Sequence, residues 1–375
     1  MILRRPWLAN LALMLGATLF CIVCAEGILR ALQWSPERHR IRVRLTNRDL
    51  TARNNSVGLD CYPSQSTDVF PIDLRLRGVQ EHYRQLGILD FSPALPESPW
   101  CVEFRYNSLG ARGPEYGPKQ PGVKRIVVVG DSFTEGQGVS EQLVYPSVLA
   151  ARLEAADPGR YEVLNFGRRA TDFPELSSLL DRALDLSPDL VIYGLCLNDG
   201  ERSAEYDRLW PRLNDWVMVR RPAVHLGPRN LRLWAWVSDR LDQWRTSRDT
   251  TEWYRGMYGE ANRGGWERTK VAFRRMREAT ESHHAQLLVA LWPLLVGLDQ
   301  DYPFRDVHER LTRVLERQGT AHLDLLGVLQ GQPTASLWAH PADRHPSGKA
   351  HAMAAESLAP VVRRMLETPT AAEAR

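Results

Sequence analysis

The hydrophobic pattern of this chain has two regimes. From Trp7 to Ala25 nearly every residue is apolar, with Asn10 the one strongly polar interruption and Arg4 and Arg5 ahead of the run. A helix that crosses a membrane needs about 20 such residues, so this stretch predicts a transmembrane helix. After residue 124 the apolar residues return as short continuous blocks: Arg125–Gly130, Tyr161–Phe166, Asp189–Leu195, Gln286–Trp292 and His322–Leu326. Blocks that are apolar at every position, not at alternate ones, read as strands buried on both faces. Helical segments lie between them, at Gln142–Ala155, Phe173–Leu186, near Trp266–His283, around Phe304–Gln318 and at Ser347–Glu367, with Gly167 and Pro188 as breaks. Strands alternating with helices predict an α/β fold, a central five-stranded parallel sheet covered on both faces.

The remaining segments divide the chain. Residues 1–30 read as an uncleaved signal anchor, because Cys21-Ile22-Val23-Cys24-Ala25-Glu26 offers no small-x-small cleavage site. Residues 31–123 are rich in Pro and Gly and read as an irregular extension and connector that packs on the main domain, which is expected over 124–368. An insertion at about 200–262 carries Trp210, Trp216, Trp234, Trp236, Trp244, Trp253, Tyr254 and Tyr258. Aromatics at helical spacing usually pack inward as a satellite core; the other reading is a cap over the site or a surface that touches lipid or sugar. Residues 369–375 read as a frayed tail. Arg30, Arg38, Arg40, Arg42 and Arg44 follow the apolar run and by charge counting favour the cytoplasm. The short basic N-terminal tail favours the opposite orientation, and the expectation is an inner-membrane, single-pass protein with its catalytic part outside the cytoplasm.

Composition narrows the classes. The chain has 375 residues, 43% hydrophobic and 25% charged, which is ordinary for a globular protein. A net charge of +3 without a dense basic stripe gives no reason to expect a nucleic-acid partner. No Cys-x-x-Cys pairs recur at zinc spacing among the five cysteines, so neither a metal nor another cofactor is expected. Cys61 and Cys101 form a disulfide if their compartment is oxidising, and are otherwise two unrelated thiols. Cys196, in an apolar strand, reads as buried filler.

The chemistry is expected at the carboxyl ends of the strands. The first block ends in Gly130-Asp131-Ser132-Phe133-Thr134-Glu135-Gly136, which puts Ser132 on a strand-to-helix turn. A serine nucleophile needs a histidine base, a group that orients the histidine, and donors for the oxyanion. Ala342-Asp343-Arg344-His345-Pro346 reads as a loop that brings His345 to Ser132 with Asp343 at its other nitrogen. Gly167 offers a backbone N–H at the end of the second strand, Asn198 a side-chain amide at the end of the third, and Ser132 its own N–H. Alternative roles stand beside these: Ser132 as a helix N-cap, Asn198 as a turn residue, His340 and His351 as rival histidines, Asp131 as a residue that holds the turn, Asp199 and Glu135 as solvated or capping acids.

These blocks resemble the SGNH/GDSL hydrolase superfamily of esterases and lipases. Gly130–Ser132, Gly167, Gly194-x-x-x-Asn198-Asp199 and Asp343-x-His345-Pro346 match its four marker blocks in order, with a wider gap before the asparagine and a shorter one between acid and histidine than is usual there. The layout is also similar to a membrane-anchored bacterial subgroup. The resemblance implies a three-layer, flavodoxin-like fold. It implies a Ser132–His345–Asp343 triad, an oxyanion hole of Ser132, Gly167 and Asn198, and an ester substrate on a lipid or an acylated carbohydrate. Two other readings stay open: an O-acyltransferase acting on a cell-envelope polysaccharide, and a non-catalytic envelope protein on the same scaffold.

Overall fold

A computed structural model of the chain describes residues 6–32, 57–61, 101–169, 171, 173–208, 231–340 and 343–367. The chain divides into two compact units, one of Met1–Arg42 with Pro211–Thr250, the other of Val43–Trp210 with Thr251–Arg375. In order, the elements are α1 (Pro6–Ala31), β1 (Val57–Cys61), β2 (Cys101–Arg105), β3 (Lys124–Gly130), α2 (Ser132–Glu135), α3 (Tyr145–Ala156), β4 (Tyr161–Gly167), α4 (Phe173–Leu184) and β5 (Leu190–Cys196). There follow α5 (Ala204–Asp207), α6 (Arg232–Met257), α7 (Arg263–Ser282), β6 (Gln286–Trp292), α8 (Arg305–Arg317), β7 (Ala321–Asp324), α9 (Leu326–Leu329), β8 (Trp338–His340), β9 (Asp343–Pro346) and α10 (Gly348–Glu367).

In the larger unit the five blocks predicted as strands form one parallel sheet in the order β4-β3-β5-β6-β7. Ile126–Val129 and every residue of β5 are buried, which explains their unbroken hydrophobicity. The step from β3 to β4 runs one way along the sheet, and every later step runs the other way. Crossovers are right-handed, so helices of the two directions lie on opposite faces. α3 packs with α10, and α4 packs with α7. The topological switch point lies between β3 and β5, the place where open α/β sheets bind ligands.

Three predicted boundaries moved for physical reasons. The helix expected from Gln142 begins at Tyr145, after a 3-10 turn at Glu141–Leu143, because Pro146 fits only the first turn of a helix. Within the extension expected to be irregular, β1 and β2 pair antiparallel, with Cys61 opposite Cys101. The loop expected around His345 is instead a strand: β9 pairs antiparallel with β8, and Asp343 lies opposite His340.

In the smaller unit, α1 carries 22 residues, Asn10–Ala31, long and apolar enough to cross a membrane, and none of that stretch is buried. At ~1.5 Å per residue it reaches ~33 Å, enough for a hydrocarbon core of ~30 Å.

Candidate active site

The site stands on three glycines. Gly130 is in register with Gly167 on β4 and with Gly194 on β5, so one level of the sheet lacks side chains across three neighbouring strands. The turn of α2 sits on that level. A Cβ on Gly194 would come 2.2 Å from Thr134 Oγ1 and 2.6 Å from Tyr145 Oη, and one on Gly167 would come 2.2 Å from the Glu135 nitrogen. Only glycine permits so close an approach. Asp131 caps the turn, its Oδ1 accepting from Phe133 N–H at 2.9 Å, a usual N-cap role for Asp. Ser132 is therefore the first residue of the helical turn, where a backbone N–H has no intrahelical partner.

Two distant segments converge on it. His345 Nε2 lies 2.8 Å from Ser132 Oγ, across 213 positions of chain. Phe133 holds the imidazole by an edge contact, centroids 5.5 Å apart, and itself rests edge-on against Trp292. Asn198, just past β5, donates through Nδ2 to Asp131 Oδ2 at 3.1 Å, and Ser132 Oγ lies 3.5 Å from the same oxygen. An amide nitrogen carries two protons, so this bond fixes the plane of the amide and leaves a second N–H for another acceptor. Burial raises the Asp131 carboxyl above the usual range; the Phe133 N–H, the Asn198 amide, the nearby charge of His345 and the Ser132 hydroxyl pull the other way. The turn that carries Asn198 is held from below. Asp199 accepts from Tyr193 Oη and Cys196 N–H, and Tyr258 Oη donates to the Leu197 carbonyl.

Beyond the Ser132 turn lies a buried charged cluster, of which the sequence reading named only Glu135. Arg112 donates to the carbonyls of Glu135 and Gly136 through Nη1 at 2.7 and 2.6 Å, and to that of Val139 through Nη2 at 2.5 Å. Glu135, expected as a solvated or capping acid, is fully buried. It receives a hydrogen bond from Tyr106 Oη and an ion pair from Arg169 Nε at 2.6 Å. The guanidinium of Arg169 also lies 4.6 Å over the ring of Phe104. Phe104, Tyr106 and Arg112 thus pack directly behind the Ser132 turn. Gln137, also missed, places Nε2 3.3 Å from His345 Nδ1; its only sequence signal is that it lies five residues past Ser132.

The other expected residues fall as follows. The Gly167 N–H donates to Asn165 Oδ1 at 2.9 Å. That bond closes a local turn, and Gly167 also permits the close packing of α2 on the sheet. Asp343 begins β9; its side chain, like that of His340, lies outside the described positions. His351 is buried, stacked on Tyr145 with centroids 5.9 Å apart, and burial drives its pKa down to about 3. Burial pushes the Cys196 thiol well up, which suits filler and not a nucleophile. The aromatics of the insertion divide. Trp253 stacks on Tyr206, and Tyr258 packs edge-on against Trp266, both inside the larger unit. Trp234, Trp236 and Trp244 are exposed, and Trp210 and Trp216 lie outside the described residues. Among the described residues no group of three or more His, Cys, Asp or Glu side chains is placed to hold a metal ion.

Ser132 and His345 thus meet at the carboxyl ends of the parallel strands, close to the switch point of the sheet. The model of the GDSL-like lipase/acylhydrolase family matches residues 128–353, and the chain belongs to that family, whose members hydrolyse ester bonds. Solved structures with a similar fold include an α/β hydrolase from the metagenome of Lake Arreo, Spain. It is 16% identical, over 66% of this chain and 99% of that one, with a TM-score of 0.41. Another is an acetylxylan esterase from Geobacillus stearothermophilus, 15% identical over 66% of this chain and 95% of that one, with a TM-score of 0.39. No curated protein matches the sequence.

Proposed function

We propose that this chain is a membrane-tethered serine esterase. Ser132 Oγ attacks the acyl carbonyl carbon while its proton passes to His345 Nε2. The tetrahedral oxyanion is held by the Ser132 N–H and the second N–H of the Asn198 amide. When the intermediate collapses, the ester C–O bond breaks and His345 returns the proton to the leaving alcohol. Water then attacks the acyl-enzyme, giving its proton to His345, and the acid leaves as Ser132 regains its hydrogen. Asp343, two positions before His345 on β9, orients the imidazole in this reading. That spacing supports an acid–histidine pair one residue closer in sequence than the family's usual one. The apolar helix α1 anchors the protein in the inner membrane, with the hydrolase domain on the outer side.

The observation that carries the reading is the 2.8 Å approach of His345 Nε2 to Ser132 Oγ, within the reach a general base needs. A fluorophosphonate probe tests it on the full chain in membranes. The wild type is labelled, and Ser132→Ala and His345→Ala are not. Equal labelling of wild type and Ser132→Ala refutes the assignment.

A further inference from the structure

In the smaller unit, α1 and α6 meet at one place. Glu26, near the end of the apolar helix, accepts through its carboxylate from the backbone N–H groups of Arg232 and Leu233, at 3.1 and 2.8 Å. Arg232 Nη1 donates back to the Leu29 carbonyl at 3.2 Å, and Arg30 pairs with Glu26 at 2.7 Å. Glu26 is thus the N-terminal cap of α6, supplied by another helix, and it satisfies donors that the start of a helix leaves open. This fixes the first turn of α6 beside the last turns of the 22-residue stretch, where a spanning helix reaches the water boundary. The apolar side of α6 begins at that level.

From there Trp234, Val237, Leu241 and Trp244 follow at spacings of three and four, one face of a helix. Trp234 is 57% exposed, Leu241 48% and Trp244 60%, so among the described residues nothing covers this face. Arginines border it, Arg240 lying 5.8 Å from the centre of the Trp236 ring and Arg248 5.0 Å from that of Trp244. Tryptophan rings at the headgroup level beside cationic side chains are what a membrane boundary selects.

We infer that the first part of α6 is an interfacial helix: its Trp234–Leu241–Trp244 face lies on the lipid surface into which α1 inserts, with the arginines toward anionic headgroups. The inference rests on the reading of α1 as a membrane span and goes beyond it, because it gives the insertion a lipid ligand of its own. Its consequence is a chain held to the bilayer at two places, through the span and through a flat helix more than 200 positions further on.

The test uses the full chain in vesicles of phosphatidylcholine with about one-quarter phosphatidylglycerol, in which one lipid carries bromine either near the glycerol end of its acyl chain or near the bilayer centre. The fluorescence lost between wild type and the Trp234→Phe/Trp244→Phe variant isolates the two indoles. That component is expected to be quenched at least about twofold by the shallow bromines and less by the deep ones. Trp7→Phe isolates in the same way an indole at the other end of α1. If the Trp7 component is quenched and the Trp234/Trp244 component is not, the anchor stands and the docking is refuted. If neither is quenched, the anchor reading fails and the docking with it. A disulfide between two copies of Trp244→Cys in the same vesicles, with the Trp234 component unquenched, overturns the inference in favour of a second copy of the chain on this face.

Discussion

Replacing Gly194 by Ala tests whether the glycine level under α2 sets the position of the nucleophile. The new Cβ would meet Thr134 Oγ1 at 2.2 Å and Tyr145 Oη at 2.6 Å, where ordinary contact begins at 3.4 Å. Something must therefore yield by about 1.2 Å, in a core packed too densely to absorb the change silently. Tyr193, Leu195, Val129 and Ala290 around it are fully buried, so the strand is the stiffer partner and the four-residue turn above it yields. Overpacking of this kind costs about 1–3 kcal/mol of stability. A misplacement of about 1 Å in a reacting group costs about a hundredfold in rate. The expected result is a folded protein by circular dichroism whose kcat/KM on p-nitrophenyl acetate falls by about two orders of magnitude. Removing the two atoms in the way, as Gly194→Ala/Thr134→Ala/Tyr145→Phe, is expected to restore most of the loss. A single variant within about threefold of wild type refutes the reasoning. So does a folded triple variant that stays as slow as the single one.

Three other perturbations probe the surroundings of the site. Folded His351 stays neutral down to about pH 3, whereas its ordinary value is 6.5; between those values the unfolded chain binds a proton that the folded one does not, so stability falls as pH falls, by about 1.4 kcal/mol per unit. Between pH 7 and pH 5 the wild type is expected to lose about 2 kcal/mol more than His351→Leu in urea unfolding, and equal losses exclude the assignment. Cys61 and Cys101 are directly opposed on β1 and β2; opposed positions of an antiparallel pair lie about 4.5–5.5 Å apart at Cα, within disulfide range. Thiol titration of the denatured chain, isolated from its own membrane, is expected to find the three thiols of Cys21, Cys24 and Cys196 before reduction and all five after it; five before reduction shows that no bridge forms. Arg169→Met strands the buried Glu135 carboxylate at a cost of about 3 kcal/mol, and Glu135→Gln in the same chain should recover part of it; a double variant less stable than Arg169→Met rules out a buried charge as the cause.

Much of the sheet and part of the site were legible in the amino-acid order alone. β3, β5 and β6 are almost wholly buried, so burial wrote itself into continuous apolar blocks; the structure moves the limits of the five blocks by at most two residues, and the last strand, β7, is partly exposed. Gly-Asp-Ser marks the turn because that turn needs a residue without a Cβ, an acid that caps, and the serine, all adjacent in the chain. The aromatic cluster of the insertion was readable both as a satellite core and as a lipid- or sugar-touching surface, and its spacing did not separate the two. Only the fold buries Trp253 and Tyr258 and leaves Trp234 and Trp244 outside.

What tertiary structure alone decided are the relations between groups far apart in sequence. The order β4-β3-β5 sets β3 and β5 side by side at the switch point, and this is why Ser132 and Asn198, 66 positions apart, both reach Asp131. The burial of Glu135 depends on Tyr106 and Arg169 arriving from two other segments, and a lone Glu in a polar turn carries no local sign of that. The Gly167 N–H donates to the side chain of Asn165, a bond that the order of residues alone did not announce. Local order dictates what each segment buries and where it turns; which atom meets which hydrogen-bond partner follows from the packing of the whole sheet.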